Sequence, residues 1–278
     1  MNRAGPAVPA TEANRTFTPF HRGGSGPPMV LIHGFTDTWR GWEPVLPELE
    51  RHHDVLAVTQ AGHAGGPAAE GPLTQATLPD AIEAAMDRAG FRSAHIVGNS
   101  LGGFVSLQMA ERGRADSVVA LAPAGGWRID DERFARATDF FRTMRKLVIR
   151  AAPYADAIAS TPEGRRRSTL MVTENYEHLP PELIAHQIRG AAGCRLDPGL
   201  FGLARKQDWG LDPDRIECPV RLAWGTADKV LPLPEAAVRF REEWVPQAEW
   251  IELDGVGHAP QLDVPRETAE LILDLTTA

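Results

Sequence analysis

The chain has 278 residues, of which 43% are hydrophobic, so it can bury a sizeable core as one large domain or as one domain with an insertion. Its formal net charge of -8 argues against nucleic acid as a partner. The chain has two cysteines, Cys194 and Cys218, which imply no disulfide framework and whose spacing fits no zinc site. Because no run of eighteen apolar residues is present, we expect a cytoplasmic protein without a membrane partner, as a monomer or a homodimer.

The first part of the chain predicts a disordered stretch followed by alternating strands and helices. Residues 1–13, rich in Ala, Pro and Gly, predict a disordered leader, and Arg15–Arg22 predicts a short edge strand. The continuous apolar run Met29–Ile32 is typical of a strand buried on both faces in a parallel sheet. A helix over Trp42–Arg51 and a strand over Val55–Val58 are predicted next.

The same alternation continues to the C-terminus. The apolar run His95–Val97 predicts a strand, which a glycine-rich turn, Gly98–Gly103, joins to a helix. Further strands are predicted over Ser117–Leu121, Val220–Trp224 and Trp250–Leu253. Strands that alternate with helices through short connections predict a doubly wound, mostly parallel α/β sheet.

One long segment interrupts this alternation. Residues 126–208 carry helical patterns only. These patterns lie over Glu132–Arg150, Arg165–Asn175 and Pro181–Ala191. We therefore predict a helical cap at residues 126–208, inserted into a core formed by residues 14–125 and 209–278.

The turn after His95–Val97 reads Gly-Asn-Ser-Leu-Gly, the G-x-S-x-G pattern of a nucleophile elbow. Between a strand and a helix, this pattern requires a strained backbone at Ser100 that lifts its Oγ above the sheet. Gly98 and Gly102 keep side chains out of the tight crossing. The first N–H groups of the helix, led by that of Leu101, point at negative charge that forms beside Ser100. The turn therefore predicts a serine nucleophile.

Three further motifs each follow a predicted strand: His33–Phe35, Trp224–Pro232 and Gly257–Gln261. Together with the elbow they resemble the α/β-hydrolase family, in its cap-bearing, esterase-like branch, over roughly Met29 to Ala278. The order Ser, Asp, His is the order that this fold uses. The resemblance implies an α/β-hydrolase fold with the inserted cap above the site.

The resemblance also implies a role for each site residue. Ser100 is expected to be the nucleophile, His258 the base that takes its proton, and Asp228 the acid that holds the imidazole tautomer. The backbone N–H groups of Phe35 and Leu101 are expected to form the oxyanion hole. Candidates for the substrate pocket are Trp39, Trp127, Phe140, Met144 and Val230.

These residues predict a serine hydrolase that cleaves a small to medium carboxylic ester through an acyl-enzyme, with a small-molecule ester as partner and no metal or cofactor. Haloalkane dehalogenases and epoxide hydrolases share the fold but need a carboxylate nucleophile, for which Ser100 cannot substitute. Tyr154 and Tyr176 lie in the cap, where epoxide hydrolases place an acid pair, and are interpreted as a coincidence. His33 is expected to brace the oxyanion loop, and His63 to belong to a surface loop.

Three other functions stay open. Carbon-carbon bond hydrolases of ring-cleavage products share the Gly-Asn-Ser-x-Gly-Gly elbow, but the chain lacks their Gly-Pro-Gly after the oxyanion glycine and has Ala259 where a tryptophan usually follows the histidine. A lactonase is a second alternative. The third, of another class, is a ligand-binding receptor built on a hydrolase fold, which a complete triad makes the weaker hypothesis.

Overall fold

The structure, a computed structural model, describes residues 17–128, 131–196, 200, 203 and 209–277, without the side chains of 133–137 and 140. The predicted leader, residues 1–13, lies outside the described residues. The strands are β1 (Phe20–Gly24), β2 (Pro28–Ile32), β3 (Asp54–Val58), β4 (Ala94–Asn99), β5 (Ala115–Leu121), β6 (Val220–Gly225) and β7 (Glu249–Leu253). They form one sheet in the order β1-β3-β2-β4-β5-β6-β7.

The helices pack on both faces of this sheet and above its carboxyl edge. The α-helices are α1 (Leu46–Leu49), α2 (Thr77–Ala89), α3 (Leu101–Glu111), α4 (Glu132–Ala151), α5 (Ala155–Ala159), α6 (Pro162–Thr169), α7 (Pro181–Gly193), α8 (Pro260–Asp263) and α9 (Pro265–Thr276). Short 3-10 segments lie at Trp39–Trp42, Ala152–Tyr154 and Pro213–Arg215, and a π-helix at Phe240–Trp244. In the described ranges, no helix is both long enough and apolar enough to span a lipid bilayer.

The sheet is parallel except at one edge, where β1 pairs antiparallel with β3. The predicted fold class is therefore confirmed. The register pairs Ile32 with Gly98, and Gly225 with Leu253. Because parallel strands end at the same edge, the segments that follow β2, β4, β6 and β7 meet there.

Side chains that alternate along the strands divide the core into two layers. In β2, Val30 and Ile32 belong to the layer that packs against α2 and α3, whereas Met29 and Leu31 belong to the layer that contains Trp42 and packs against α9. Helix α3 is buried along its whole length except for its last residue. A helix that is apolar all round needs such an environment, so α3 is fixed firmly behind the elbow.

Two predicted helices differ from those in the structure. The predicted helix at Trp42–Arg51 is a 3-10 turn followed by the four-residue α1, because Pro44 and Pro47 interrupt the backbone hydrogen bonds. The helix predicted at Arg165–Asn175 is α6 (Pro162–Thr169), which starts three residues earlier and ends six residues earlier than predicted. The Thr161 hydroxyl accepts from the Gly164 N–H and so caps α6 in front of a proline.

Helices α4 to α7, with their connections in residues 131–196, are called the cap below. Their apolar side chains, among them Leu179, Leu183 and Ile184, form a third cluster together with Ala259 and Leu262 from the chain after β7. The cap therefore packs directly on the segment that carries His258. The limits 126–208, 14–125 and 209–278 for cap and core stay predictions.

Candidate active site

Ser100 lies at the sharp turn between β4 and α3, in the strained conformation that the motif predicts. Its backbone has φ +56° and ψ -117°, a region that non-glycine residues rarely adopt. A Cβ atom at position 98 would lie 2.0 Å from the Gly102 carbonyl oxygen, and one at position 102 would lie 2.1 Å from that of Ile32. Only glycine fits at either position, and this close crossing holds Ser100 at the carboxyl edge of the sheet.

Asp228 and His258, from the loops after β6 and β7, form a buried pair. Their Oδ2 and Nδ1 atoms lie 2.7 Å apart. The other carboxylate oxygen of Asp228 accepts from the backbone N–H groups of Val230 and Leu231, each at 2.8 Å. With Nδ1 donating to the carboxylate, Nε2 of the imidazole is left as the acceptor. Ser100 and His258 both line one cavity, whose walls are described below.

Asn99, the residue before the serine, braces the histidine loop, and sequence reasoning missed it. Its Nδ2 donates to the His258 carbonyl at 3.0 Å and to the Leu121 carbonyl at 3.1 Å. Its Oδ1 accepts from Nε2 of Gln261 at 3.2 Å. The middle position of G-x-S therefore links the turn at Ser100 to the loop of His258. Its place inside the motif was the available signal.

Asp263 ties the same histidine loop to the cap. Its buried carboxylate accepts from the Gly257 N–H at 2.6 Å on one side and from the Asn175 N–H at 2.6 Å on the other. Nearby, the Ala259 N–H donates to the Val172 carbonyl at 2.9 Å. These bonds connect the residues on both sides of His258 to the cap segment after α6. The sequence contains no local signal for them.

His33 fixes the loop after β2. Its Nδ1 donates to the Gly34 carbonyl at 2.6 Å, and its Nε2 accepts from the Gln60 N–H at 3.0 Å. Burial holds the pKa of His33 well below its usual value, with a smaller effect from His63, so the ring is neutral and this tautomer persists. Because the peptide is trans, the N–H of Phe35 points away from the bonded Gly34 carbonyl. This geometry fits the predicted bracing role.

His63 is a correction, because it lies beneath this loop and not on the surface. It is 4% exposed, and its ring packs edge-on against His33 at 4.9 Å and against Phe35 at 6.0 Å between centroids. Burial lowers the pKa of His63 to about 4. His63 is therefore a neutral, buried imidazole that supports the loop after β2.

A cavity of about 240 Å³ opens between the sheet edge and the cap. Ser100, His258 and Phe35 lie at its base. Most of its wall is apolar, formed by Phe141, Met144, Val148, Met171, Val172, Ile184, Ile188, Ala191, Val230, Ala259 and Leu262. Its polar part includes Asp37, Gln187, Arg145 and Arg167. The space suits a small to medium molecule with an apolar body.

A second cavity of about 40 Å³ also borders Ser100. Both cavities are lined by Ser100, Phe35, Phe141 and Val230. The rings of Phe35 and Phe141 meet edge to face with centroids 5.7 Å apart. The remaining wall of the small cavity consists of Leu101, Ala124, Trp127, Leu200, Trp209 and Leu231. This pair of rings therefore borders both compartments.

Three of the five residues predicted to line the substrate pocket do line one of the two cavities. Met144 lines the larger cavity, Val230 lines both and Trp127 lines the smaller one. Trp39 was wrongly predicted, because its indole N–H donates to the Thr18 hydroxyl and its ring stacks on a histidine of β1, away from both cavities. The side chain of Phe140 lies outside the described residues.

The comparisons with known proteins point to one family. A model of the Alpha/beta hydrolase family matches residues 29–271. A protein of Mycobacterium tuberculosis named Epoxide hydrolase EphH is 31% identical over 204 residues, covering 72% of this chain and 94% of that protein. The Pimeloyl-[acyl-carrier protein] methyl ester esterase of Aromatoleum aromaticum is 30% identical over 274 residues, covering 90% and 98%. A solved esterase from Thermogutta terrifontis has a TM-score of 0.70 at 20% identity, covering 93% of this chain and 92% of that one.

Proposed function

The chain belongs to the alpha/beta hydrolase family, and we propose that it is a serine hydrolase that cleaves small to medium carboxylic esters through an acyl-enzyme. The observation that carries the proposal is the buried Asp228–His258 pair, joined at 2.7 Å, beside the cavity that Ser100 lines. A relative named a methyl ester esterase, similar over nearly its whole length, supports the same class of substrate.

In the proposed reaction, Ser100 Oγ attacks the ester carbonyl and His258 Nε2 takes its proton. The N–H groups of Leu101, the first residue of α3, and of Phe35 receive the oxyanion. The imidazolium, stabilised by Asp228, returns the proton to the leaving alcohol. Water then attacks the acyl-enzyme with the same base and frees the acid and Ser100.

Epoxide hydrolysis is the function that another relative's name suggests, and the chemistry of the nucleophile opposes it here. A serine that opened an epoxide would form an ether, which water cannot cleave as it cleaves an ester. The cap tyrosines give no support either: Tyr154 is 66% exposed and Tyr176 packs in the cap cluster, and neither is among the described residues that line the cavity. We therefore propose an ester substrate.

The test combines turnover with covalent labelling. Wild type, Ser100→Ala and the exposed control Ser160→Ala are assayed with p-nitrophenyl esters of increasing acyl length and with styrene oxide, and each is treated with a serine-directed phosphonate before mass spectrometry. We expect ester turnover and one adduct on Ser100, both lost in Ser100→Ala, where kcat falls about 10⁴-fold or more. The control should match wild type.

Each contrary result favours a different function. Turnover of styrene oxide that survives Ser100→Ala would make the protein an epoxide hydrolase with another nucleophile. Ester turnover no higher than that of Ser100→Ala would favour the receptor. Cleavage of a ring-cleavage product with a kcat/KM far above that of every ester would favour the carbon-carbon bond hydrolase.

A further inference from the structure

Asp37 is an acidic residue in the wall of a largely apolar cavity. Asp37 follows the oxyanion loop and lines the larger cavity together with Ser100 and His258. The surfaces around it include those of Met144, Ile188 and other apolar side chains of the cap. A charged group in such a wall needs an explanation, because apolar surroundings disfavour its ionised form.

Local folding supplies only part of that explanation: the carboxylate accepts from the Thr38 N–H and packs against Gly41 of the adjacent 3-10 turn, but neither contact brings a positive charge. The adjacent 3-10 turn is capped by Thr38, whose hydroxyl accepts from the Arg40 N–H, so the Asp37 side chain is not needed to start it. Arg40 forms its ion pair with Glu43. Among the described residues, Asp37 has no ion-pair partner within 4.0 Å, and loss of hydration raises its pKa to about 6.

The polar neighbours of Asp37 suit one kind of ligand. The amide Nε2 of Gln187, on α7, lies 3.5 Å from Oδ1 of Asp37, a distance at the long limit of a hydrogen bond. Gln187 also lines the cavity, so the site offers an N–H donor beside a carboxylate acceptor. A hydroxyl group both donates and accepts and can therefore satisfy both side chains.

A cationic ligand fits less well. An ammonium group can donate to Asp37, but it cannot accept from Gln187. Arg145 also lines this cavity and adds a positive charge to its wall, whereas the charge of Arg167, another lining residue, is paired with Glu163. The described charges of the cavity therefore oppose an amine and leave a neutral hydroxyl as the favoured group.

We propose that Asp37 and Gln187 form a specificity site for a hydroxyl group, so that the preferred substrate is an ester with a free hydroxyl on its acyl or alcohol part. The inference rests on the proposed esterase function and names the substrate class for the same cavity. Neither residue takes part in the chemical step. Both act by binding a distant part of the substrate, which raises kcat/KM for the ester that carries the hydroxyl.

The experiment compares esters of nearly equal shape. Ethyl β-hydroxybutyrate is measured against ethyl isovalerate, in which a methyl group replaces the hydroxyl, and hydroxyethyl butyrate against propyl butyrate. Dimethylaminoethyl butyrate, protonated near neutral pH, supplies the cationic arm. The kcat/KM ratio within each pair is determined for wild type, Asp37→Leu, Asp37→Asn, Gln187→Leu and the exposed control Asp139→Asn. Because both esters of a pair meet the same protein, the ratio does not depend on the fraction folded.

In at least one pair we expect wild type to prefer the hydroxyl ester about tenfold or more, since a site built to bind a hydroxyl discriminates against an analogue that lacks it. Asp37→Leu and Gln187→Leu should each bring the ratio close to one. Asp37→Asn should keep part of the preference, because its carboxamide oxygen still accepts, and Asp139→Asn should match wild type.

Four outcomes would overturn the inference. Ser100-dependent turnover with no hydroxyl preference in either pair would refute it and leave the esterase intact. A preference that survives Asp37→Leu would also refute it. Preference for the dimethylamino ester, lost in Asp37→Asn, would make this a cation site. If no ester is hydrolysed above the level of Ser100→Ala, the proposed function fails and the hydroxyl site fails with it.

Discussion

Replacing Asp37 by asparagine should make the folded protein more stable at neutral pH. The change keeps the shape of the side chain and removes its charge. In the folded state, loss of hydration raises the pKa of Asp37 from 3.8 to about 6, against smaller opposing effects of the Thr38 N–H and Gln187. The ionised carboxylate is therefore less favourable in the folded chain than in the unfolded one, and this cost is absent in the variant.

The size of the effect follows from this difference in pKa. A shift of about two pH units corresponds to about 3 kcal/mol at 1.36 kcal/mol per unit, which is an upper value. Because Asp37 is only half-buried and faces the cavity, we expect a gain of about 1–2 kcal/mol in the free energy of unfolding. For a chain of this length, such a gain raises Tm by about 2–6 °C.

The assay is thermal and urea unfolding of wild type, Asp37→Asn and the exposed control Asp139→Asn at several pH values. A raised folded-state pKa means that the folded wild type binds more protons than the unfolded chain between about pH 6 and 3.8. The wild type therefore gains stability relative to Asp37→Asn as the pH falls through this window. The advantage of the variant should be complete above about pH 6 and small near pH 4.

Two results would refute this reasoning. Loss of stability in Asp37→Asn at neutral pH would mean that the native contacts of the carboxylate outweigh its desolvation. An equal gain at neutral and acidic pH would mean that charge is not the cause. Either result would remove the argument that this residue lowers stability while serving substrate recognition.

Three other predictions concern the triad, the cavities and acid stability. Asp228→Asn should lower kcat about 10⁴-fold with little loss of stability, and a kcat within tenfold of wild type would assign the acid elsewhere. Phe141→Ala should join the two cavities and shift kcat/KM toward longer acyl chains, whereas an unchanged chain-length profile would leave Phe141 a packing role. The free energy of unfolding should fall as the pH is lowered from about 6.5 toward 4, because the unfolded chain binds protons that the buried rings of His33 and His63 exclude. Each ring contributes up to about 1.4 kcal/mol per pH unit. Asp37, whose pKa is raised on folding, partly opposes this fall. In urea unfolding, His63→Leu should flatten that slope.

The parts of the fold that sequence predicted well are those fixed by local chemistry. Met29–Ile32 is apolar throughout because both faces of its strand are covered, and the elbow is recognisable because the crossing at Ser100 tolerates only glycine at two positions. Local chemistry also explains the main error, since Pro44 and Pro47 carry the signal that the helix near Trp42 is broken.

The parts that could not be predicted depend on contacts between distant segments. Gln187 reaches Asp37 across 150 positions of sequence, and nothing near either residue indicates the other. Trp39 is an aromatic residue close to His33–Phe35 in sequence, but its ring stacks on His21 and its indole N–H donates to Thr18, contacts that its neighbours in sequence do not indicate. The burial of His63 depends on packing against His33 and Phe35 of the loop after β2, which lie far from it in sequence.

The bonds of Asp263 have a consequence for how the cap can evolve or be engineered. The Asp263 carboxylate accepts from both the Gly257 N–H and the Asn175 N–H, so the position of the His258 loop depends on the position of the cap. A cap transplanted from another hydrolase would leave this buried carboxylate without the N–H groups of Glu174 and Asn175 and the Asn175 side-chain amide, three of its four donors, and would loosen His258 as well as reshape the cavity. A working chimera therefore has to exchange residues 172–175 and the loop of His258 together, or keep both. Selectivity in this scaffold is more readily changed by point substitutions that face the cavity than by exchange of the whole cap.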